Sequence, residues 1–161
     1  MKLFELIKQL NIEKITGDTN ISIEGISQNS KEVEENHLFV CIEGFVSDGH
    51  NYIPEAIRKG AKAIIVQKEV PPVRDITIIK VKDSRKALGF VANKYYRYPS
   101  RKLRLIGITG TNGKTTVAYM IRAILEEANK KVGLLTTVEN IINQQTIHSK
   151  MTTMEALDLQ K

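Results

Sequence analysis

The segment Gly107–Thr116 combines glycines, hydroxyl side chains and one lysine in the order GITGTNGKTT. Glycines let backbone N–H groups approach a phosphate closely, and an ammonium group and hydroxyls beside them supply positive charge and a metal ligand. We therefore expect Lys114 to reach the β- and γ-phosphates of a nucleoside triphosphate and the Thr115 hydroxyl to bind Mg²⁺. The residues expected to bind the phosphates are Gly110, Thr111, Asn112, Gly113, Lys114, Thr115 and Thr116.

Two apolar stretches of different period flank this segment. Before it, Leu103–Ile108 predicts a strand, and after it apolar residues recur at steps of three and four from Val117 to Ala128, which predicts an amphipathic helix. The strict phosphate-loop pattern has glycine at position 108, where this chain has isoleucine. A glycine-rich turn that binds nothing is the alternative, but it has no need of a lysine and two hydroxyls at a helix N-terminus. The motif does not indicate which reaction the bound phosphate would take part in.

Charged residues are scattered along the chain. The 24 Lys and Arg residues exceed the 18 Asp and Glu residues, giving a net charge of +6, and aromatic residues make up 6% with no Trp. Nucleic-acid surfaces usually carry a basic stripe and aromatic side chains on which bases stack. We therefore expect an anionic small molecule, and no nucleic acid, as the partner.

Cysteine usage and hydropathy bear on the compartment. Cys41 is the single cysteine, and it lies within the apolar run Leu38–Ile42, so no intramolecular disulfide can form. Glu5 and Lys8 interrupt what would be the core of a signal peptide, and apolar runs are only a few residues long. We expect a cytoplasmic protein that makes no membrane contact.

Residues 1–100 predict a compact domain of mixed α/β class. Helical spacing alternates with period-two and continuously apolar runs, and the turn signals lie at Gly60 and Pro71-Pro72. The predicted elements are a helix from Leu3 ending near Asn11, strands at Ile21–Ile26 and Leu38–Ile42, a helix from Ile53 to Gly60, strands at Ala63–Val66 and Ile76–Val81, and a helix from Leu88 ending before Pro99.

A polar stretch, Arg97–Lys102, predicts a domain boundary, with a second domain over 101–161. Beyond the phosphate loop and its helix, we predict a strand at Val132–Val138, a hairpin through Ile141 and Ile147, and a helix beginning near Thr153. Sixty residues cannot bury both faces of a parallel sheet. The fold class is therefore a small mixed α/β domain followed by the incomplete start of a P-loop parallel-sheet domain.

The chain resembles the Mur ligases, ATP-dependent amide-bond synthetases of peptidoglycan precursor assembly. Their phosphate loop has the sequence found here at Thr109–Thr116, and the similarity extends almost from end to end. The segments that carry it in the first domain are Asn29-Ser30-Lys31, Leu38-Phe39-Val40, Gly44, Asp48-Gly49-His50 and Ala56 through Gly60-Ala61. Together with the final Thr152–Leu159, they are most similar to the branch of the family that adds the third peptide residue to UDP-N-acetylmuramoyl-dipeptide.

This resemblance implies a site for a UDP-N-acetylmuramoyl-peptide. The residues implied are Ser30, Phe45, Val46, Ser47, His50, Thr152 and Thr153. His50 could instead cap a turn locally. ATP and Mg²⁺ are the implied cofactors, with Lys114 as the catalytic residue, Thr115 as the Mg²⁺ ligand and Glu155 as a second candidate. Glu155 could instead stabilise a helix N-terminus.

Two departures from the family pattern affect the implied substrate site. Asn29-Ser30-Lys31 stands where the family usually has Asp-Ser-Arg, and lysine lacks the planar fork of arginine. Thr152-Thr153-Met154 stands where it has Thr-Thr-Pro, and loss of the proline is expected to remove a conformational restraint.

The family reaction implies that a substrate carboxylate attacks the γ-phosphate of ATP and that the amine of an amino acid then displaces the phosphate. Further Mg²⁺ ligands and the domain that binds the amino acid lie beyond the matched residues. We therefore expect a ligase fragment that is inactive alone, and the choice between diaminopimelate and lysine stays open. The alternatives are a free-standing nucleotide-binding module with a regulatory or decoy role, or a ligase similar to folylpolyglutamate synthetases.

Overall fold

The computed structural model describes residues 1–44, 47–143, 145–148 and 154–161. The chain forms two compact units, which are treated separately below. The first unit comprises Met1–Lys102 together with Ala156–Lys161, and the second unit comprises Leu103–Glu155.

The first unit is built on a mixed sheet. Its elements are α1 (Leu3–Ile7), β1 (Ile12–Thr16), β2 (Gly25–Ser27), β3 (His37–Val40), α2 (Ile53–Arg58), β4 (Ala61–Val66), β5 (Thr77–Val81), α3 (Ser84–Tyr95) and α5 (Ala156–Gln160). Within the described residues, five strands lie in the order β1-β5-β4-β3-β2. Strands β2 to β5 pair in parallel, and β1 is antiparallel to β5. The carboxyl ends of the four parallel strands therefore share one edge of the sheet.

Strand β4 shows why both faces of this sheet are buried. Its residues Ala63 and Ile65 pack into the cluster beneath α1 and α3, whereas Ile64 and Val66 pack into the cluster beneath α2. A parallel strand covered on both faces has a nearly continuous apolar sequence, as found here. The predicted strands at the centre of the sheet and the predicted helices α2 and α3 are confirmed, and so is the α/β class.

The edges of the sheet differ from the sequence prediction. Strand β1 was not predicted because its Ile-Glu-Lys-Ile-Thr sequence is largely exposed and pairs on one side only. The predicted strand Ile21–Ile26 is wrong over most of its length, since only Gly25–Ser27 joins the sheet. Its first half pairs with the N-terminus instead, through the N–H of Ile23 and the carbonyl of Met1 at 2.7 Å.

The second unit has one long helix and a small antiparallel sheet. Its elements are α4 (Lys114–Glu127), β6 (Leu134–Leu135), β7 (Glu139–Ile142) and β8 (Gln145–His148). The predicted hairpin is confirmed, with Asn140 opposite Ile147 in its ladder. The predicted strand Leu103–Ile108 is wrong for the described residues, because none of their strands lies beside it to form a ladder. The strands that do pair here are antiparallel rather than parallel.

The last described helix packs within the first unit. Leu157 of α5 is buried in the cluster that contains the apolar face of α3, and Ala156 lies beside Gly89 of α3. In the described part of the chain, no helix is both long and apolar enough to cross a lipid bilayer.

Candidate functional site

The phosphate loop leads directly into α4. Gly113 occupies the N-cap position with φ of +77°, a left-handed conformation that favours glycine, and no side chain caps the helix there. The first helical hydrogen bond is donated by the N–H of Val117 to the carbonyl of Gly113 at 2.9 Å. The N–H groups of Lys114, Thr115 and Thr116 therefore precede the helical ladder, at the positive end of the helix dipole.

The Lys114 ammonium lies over the loop. Its Nζ atom donates to the carbonyl oxygens of Gly110 at 2.6 Å and Thr111 at 3.3 Å. Thr115 is half-buried in the first turn of α4, and this turn contains no acidic residue that would oppose an anion. An ammonium, a helix N-terminus without a side-chain cap and a hydroxyl form a donor set that fits a polyphosphate and its Mg²⁺.

A second group of predicted residues lies at the carboxyl edge of the first unit's sheet. Ser30 follows β2 and is 5% exposed, and its Oγ donates to Glu55 Oε2 of α2 at 2.6 Å. Asn29 caps the short helical turn at 30–32 by accepting from the N–H of Lys31 at 3.1 Å. Asparagine can therefore supply the cap that aspartate would give here, while the Lys31 side chain is exposed.

His50 is held by both nitrogens of its ring. The backbone N–H of Gln67 donates to Nε2 at 3.1 Å, so Nε2 carries no proton, and the protonated Nδ1 donates to Asp48 Oδ1 at 2.5 Å. The side chain is only 8% exposed. His50 thus ties the segment after β3 to the end of β4, and a ligand would find only the edge of the ring.

Asp48 is the centre of this cluster. Its Oδ1 also accepts from the backbone N–H of His50 at 2.9 Å, and its Oδ2 lies 2.6 Å from the Lys68 ammonium. The hydrogen bond from Lys68 holds the pKa of the Asp48 carboxyl well below its usual range, and the Lys68 pKa is raised in turn. Lys68 also contacts Glu43 Oε1 at 3.1 Å.

Gln67 links the cluster to the start of α3. Its Oε1 accepts from the N–H of Ser84 at 2.9 Å and lies 2.7 Å from Ser84 Oγ, which also lies 2.5 Å from the carbonyl oxygen of Cys41. We call Asp48, His50, Gln67, Lys68 and Ser84 the edge network. It joins three of the loops that follow parallel strands.

Gly49 is required by a close approach of two backbones. A Cβ atom at this position would lie 2.7 Å from the nitrogen and 2.9 Å from the oxygen of Ile42. The Asp-Gly-His motif therefore has a local explanation. Asp48 accepts hydrogen bonds, Gly49 allows close packing of two backbones, and His50 accepts a hydrogen bond from the backbone just after β4.

An open cleft of about 850 Å³ lies at the same edge of the first unit. It is bounded by residues 9–11, which follow α1, by the first half of α3 and the residues before it, and by Glu43 and Gln67. Clefts at the carboxyl edge of parallel strands are the usual ligand sites of such sheets.

The remaining predicted residues are placed as follows. Ser47 is exposed, and its carbonyl accepts from the N–H of Gly44 at 3.0 Å. Glu155 directly precedes α5. Phe45, Val46, Thr152 and Thr153 lie outside the described residues.

Sequence reasoning missed some residues and could not assemble others. Glu55, Gln67 and Lys68 were not predicted, since they join the site only through contacts with distant residues. The one available signal was that Gln67-Lys68 directly follow a buried strand. Among the described residues, no three His, Cys, Asp or Glu side chains lie close enough to hold a metal ion together.

Two protein-family models match the chain. The Mur ligase family catalytic domain matches residues 22–96, and the Mur ligase middle domain matches residues 108–161. The first match lies within the first unit, and the second covers most of the second unit together with residues 156–161.

Curated relatives match the chain from end to end. UDP-N-acetylmuramoyl-L-alanyl-D-glutamate--2,6-diaminopimelate ligase 1 of Clostridium acetobutylicum is 46% identical over 161 residues, covering 100% of this chain and 33% of the relative. The corresponding ligase of Clostridium tetani is 47% identical over 164 residues, covering 100% of this chain and 34% of the relative. The chain therefore spans about a third of the length of these relatives.

Solved structures agree on the fold. A UDP-N-acetylmuramoyl-L-alanyl-D-glutamate--2,6-diaminopimelate ligase matches with a TM-score of 0.75 at 24% identity, covering 99% of this chain and 32% of that one. The UDP-N-acetylmuramoylalanyl-D-glutamyl-2,6-diaminopimelate--D-alanyl-D-alanyl ligase of Acinetobacter baumannii matches with a TM-score of 0.58 at 26% identity, covering 78% of this chain and 28% of that one. With family models matching both units and relatives similar along its full length, the chain belongs to the Mur ligase family.

Proposed function

We propose that the chain carries two substrate sites of an ATP-dependent ligase that adds 2,6-diaminopimelate to UDP-N-acetylmuramoyl-L-alanyl-D-glutamate in peptidoglycan synthesis. The reaction and the amino acid come from the names of relatives three times as long as the chain. The observation that carries the proposal is the uncapped N-terminus of α4 with Lys114 lying over the loop.

The second unit would hold ATP, and its proposed domain covers residues 101–161. Bound Mg²⁺-ATP supplies the γ-phosphoryl group that activates a substrate carboxylate. Lys114 would exchange the carbonyls of Gly110 and Thr111 for phosphate oxygens and neutralise charge that develops on them. The N–H groups of the first turn of α4 would orient the phosphates, and the Thr115 hydroxyl would hold Mg²⁺. Glu155 is a second candidate ligand.

The first unit would hold the uridine nucleotide, with a proposed domain over residues 1–100. Ser30 follows β2, and Ser47 and His50 follow β3, so each comes after a parallel strand, where such ligands bind. By fixing the nucleotide end of the substrate, this unit would position the reacting carboxylate. We also propose a cytoplasmic location and no nucleic-acid or membrane partner.

A binding experiment tests the ATP site. Titration with ATP and Mg²⁺ should give saturable binding that Lys114→Ala weakens at least about tenfold, because one charge-assisted contact to the phosphates is lost. Lys130→Ala removes the same charge beyond the far end of α4 and should leave the affinity unchanged. Equal affinities for the Lys114→Ala variant and the unaltered chain would refute the assignment.

A chimera tests the reaction. This chain should replace the matching third of the Clostridium acetobutylicum relative, and the product should be assayed for ligation of 2,6-diaminopimelate and of lysine. We expect ligation of 2,6-diaminopimelate, its loss with Lys114→Ala, and no ligation by the chain alone. A folded chimera that binds both nucleotides but ligates neither amino acid would contradict the proposal.

A further inference from the structure

The segment between Glu43 and Asp48 is closed at its base by backbone and side-chain contacts. Glu43 and Asp48 form an antiparallel bridge, and the N–H of Gly44 donates to the carbonyl of Ser47 at 3.0 Å. The Lys68 ammonium then joins the side chains of the two bridge residues, at 3.1 Å from Glu43 and 2.6 Å from Asp48. Ser47 is one of the residues proposed to bind the uridine nucleotide, and these contacts hold its backbone in place.

His50 connects this base to the central sheet. Strand β4 ends at Val66, and the next backbone N–H, that of Gln67, donates to His50 Nε2. Nδ1 of the same ring donates to Asp48. A nearly buried ring with both nitrogens engaged has no hydrogen-bonding atom left for a ligand.

Charge also argues against direct phosphate binding by this cluster. Asp48 and Glu43 contribute two carboxylates, Lys68 contributes one ammonium, and His50 is neutral in the tautomer that its contacts require. The cluster therefore carries a net charge of −1 and would repel a diphosphate in direct contact. Its contacts instead hold the neighbouring backbone in place.

We propose that His50, with Asp48 and Lys68, is a positioning residue for the uridine nucleotide: it holds the base of the 43–48 segment against the end of β4 and does not itself contact the ligand. This inference rests on the proposed uridine-nucleotide site of the first unit. It assigns an indirect role to the Asp-Gly-His motif and adds Lys68, which the sequence did not single out.

Titration of the full chain with UDP tests the inference through a set of variants. His50→Ala should weaken UDP binding about tenfold, because both tethers of the base are lost. His50→Gln keeps an acceptor near the Nε2 position and His50→Asn keeps a donor near the Nδ1 position, so each should recover part of the affinity. Lys68→Met, at a half-exposed site, should weaken binding about threefold while the fold is kept.

Thr77→Val is the matched control. Thr77 is 3% exposed and its Oγ1 donates to the carbonyl of Asp18 at 2.6 Å, at the start of β5 and so at the opposite edge of the sheet. This variant loses a buried hydrogen bond as His50→Ala does, but it should bind UDP like the unaltered chain. Equal losses in Thr77→Val and His50→Ala would mean that general destabilisation, not positioning, weakens binding, and would overturn the inference.

The ring nitrogens of His50 give a second readout that needs no variant to fold. The chain contains three histidines, so ¹⁵N-histidine labelling resolves each ring. We expect the Nδ1–H tautomer of His50 both without and with saturating UDP, and no large shift of either nitrogen. A large shift on binding would show direct contact and overturn the inference. If the unaltered chain fails to bind UDP at all, the proposed function of the first unit fails first; if it binds and His50→Ala and Lys68→Met bind equally well, only the positioning role fails.

Discussion

Helices α3 and α4 have similar amphipathic sequences but different surroundings. Helix α3, in the first unit, buries Ser84, Ala87, Leu88, Val91 and Ala92 against the sheet. Helix α4, in the second unit, has no buried residue, and Met120 and Ile124 are 59% and 69% exposed. An apolar stripe thus indicates which face of a helix can be buried, but that face is buried only where neighbouring strands pack against it.

The same contrast applies to the two candidate sites. The edge network is built from tertiary contacts between loops that the parallel strands of one sheet bring together. The phosphate loop is local, because its lysine, glycines and helix N-terminus follow one another along ten residues. We therefore expect the first site to depend on the stability of its unit and the second to depend mainly on its own sequence.

The largest expected effect is a loss of stability of the first unit when the buried face of α3 is truncated. Leu88→Ala should lower the free energy of unfolding of the first unit by about 2–5 kcal/mol, because Leu88 is fully buried and its removal leaves a cavity. Ile124→Ala should change stability by less than about 0.5 kcal/mol, since the side chain is exposed. Urea unfolding followed by circular dichroism measures both, and similar losses would contradict the comparison.

Substitution of one glycine in each unit should give a difference in stability of intermediate size. Gly49→Ala should destabilise the first unit by about 1–3 kcal/mol, because the new methyl group meets the backbone of Ile42. In the second unit, the methyl group of Gly107→Ala would meet no described atom within 4 Å, so this variant should change stability very little. Thermal unfolding of the two variants side by side checks this; a neutral Gly49→Ala would mean that the backbone there can move apart freely.

Cys41 gives the smallest effect at neutral pH. Burial raises the pKa of its thiol to about 12, with the Asp48 charge adding to the shift. The folded chain holds this proton while the unfolded chain releases it, so the contribution of Cys41 to stability is complete below the ordinary thiol pKa and is lost as the pH rises toward 12. Denaturation midpoints measured from pH 7 to pH 11 should fall above about pH 8.5, and Cys41→Ala should fall less steeply.

The thiol's reactivity provides an independent check. At pH 8 Cys41 should react with a thiol reagent far more slowly in the folded chain than in urea, because it is both buried and protonated. Equal rates would show that the first unit opens readily, which would remove the contrast with the second.

The sequence predicted the elements whose pattern is set by their own burial. Strands β3, β4 and β5 were found from runs such as Ala63–Val66, and α3 from the spacing of Leu88 and Val91. Strand β1 was missed because an edge strand with charged residues lacks this signal. The strand expected at Leu103–Ile108 requires a neighbouring strand, which no local pattern can supply.

The candidate sites divide in the same way. All the phosphate-loop residues could be named from one motif, whereas the partners of Ser30 and His50 could not. Glu55 and Gln67 lie 25 and 17 residues away from them in sequence, and only the parallel order of the strands brings them together. These contacts therefore depend on the order of the strands in the sheet and not on the composition of the segments that make them.

The contact of Lys114 with two carbonyl oxygens bears on which anions the proposed phosphate site would bind. The loop carbonyls already accept hydrogen bonds from the Lys114 ammonium, so an incoming anion would have to attract it more strongly than two carbonyl dipoles do. A singly charged ion gains little from that exchange, while the several negative oxygens of a triphosphate gain more. We therefore expect small, singly charged anions to compete poorly with a triphosphate for the proposed site at this helix N-terminus.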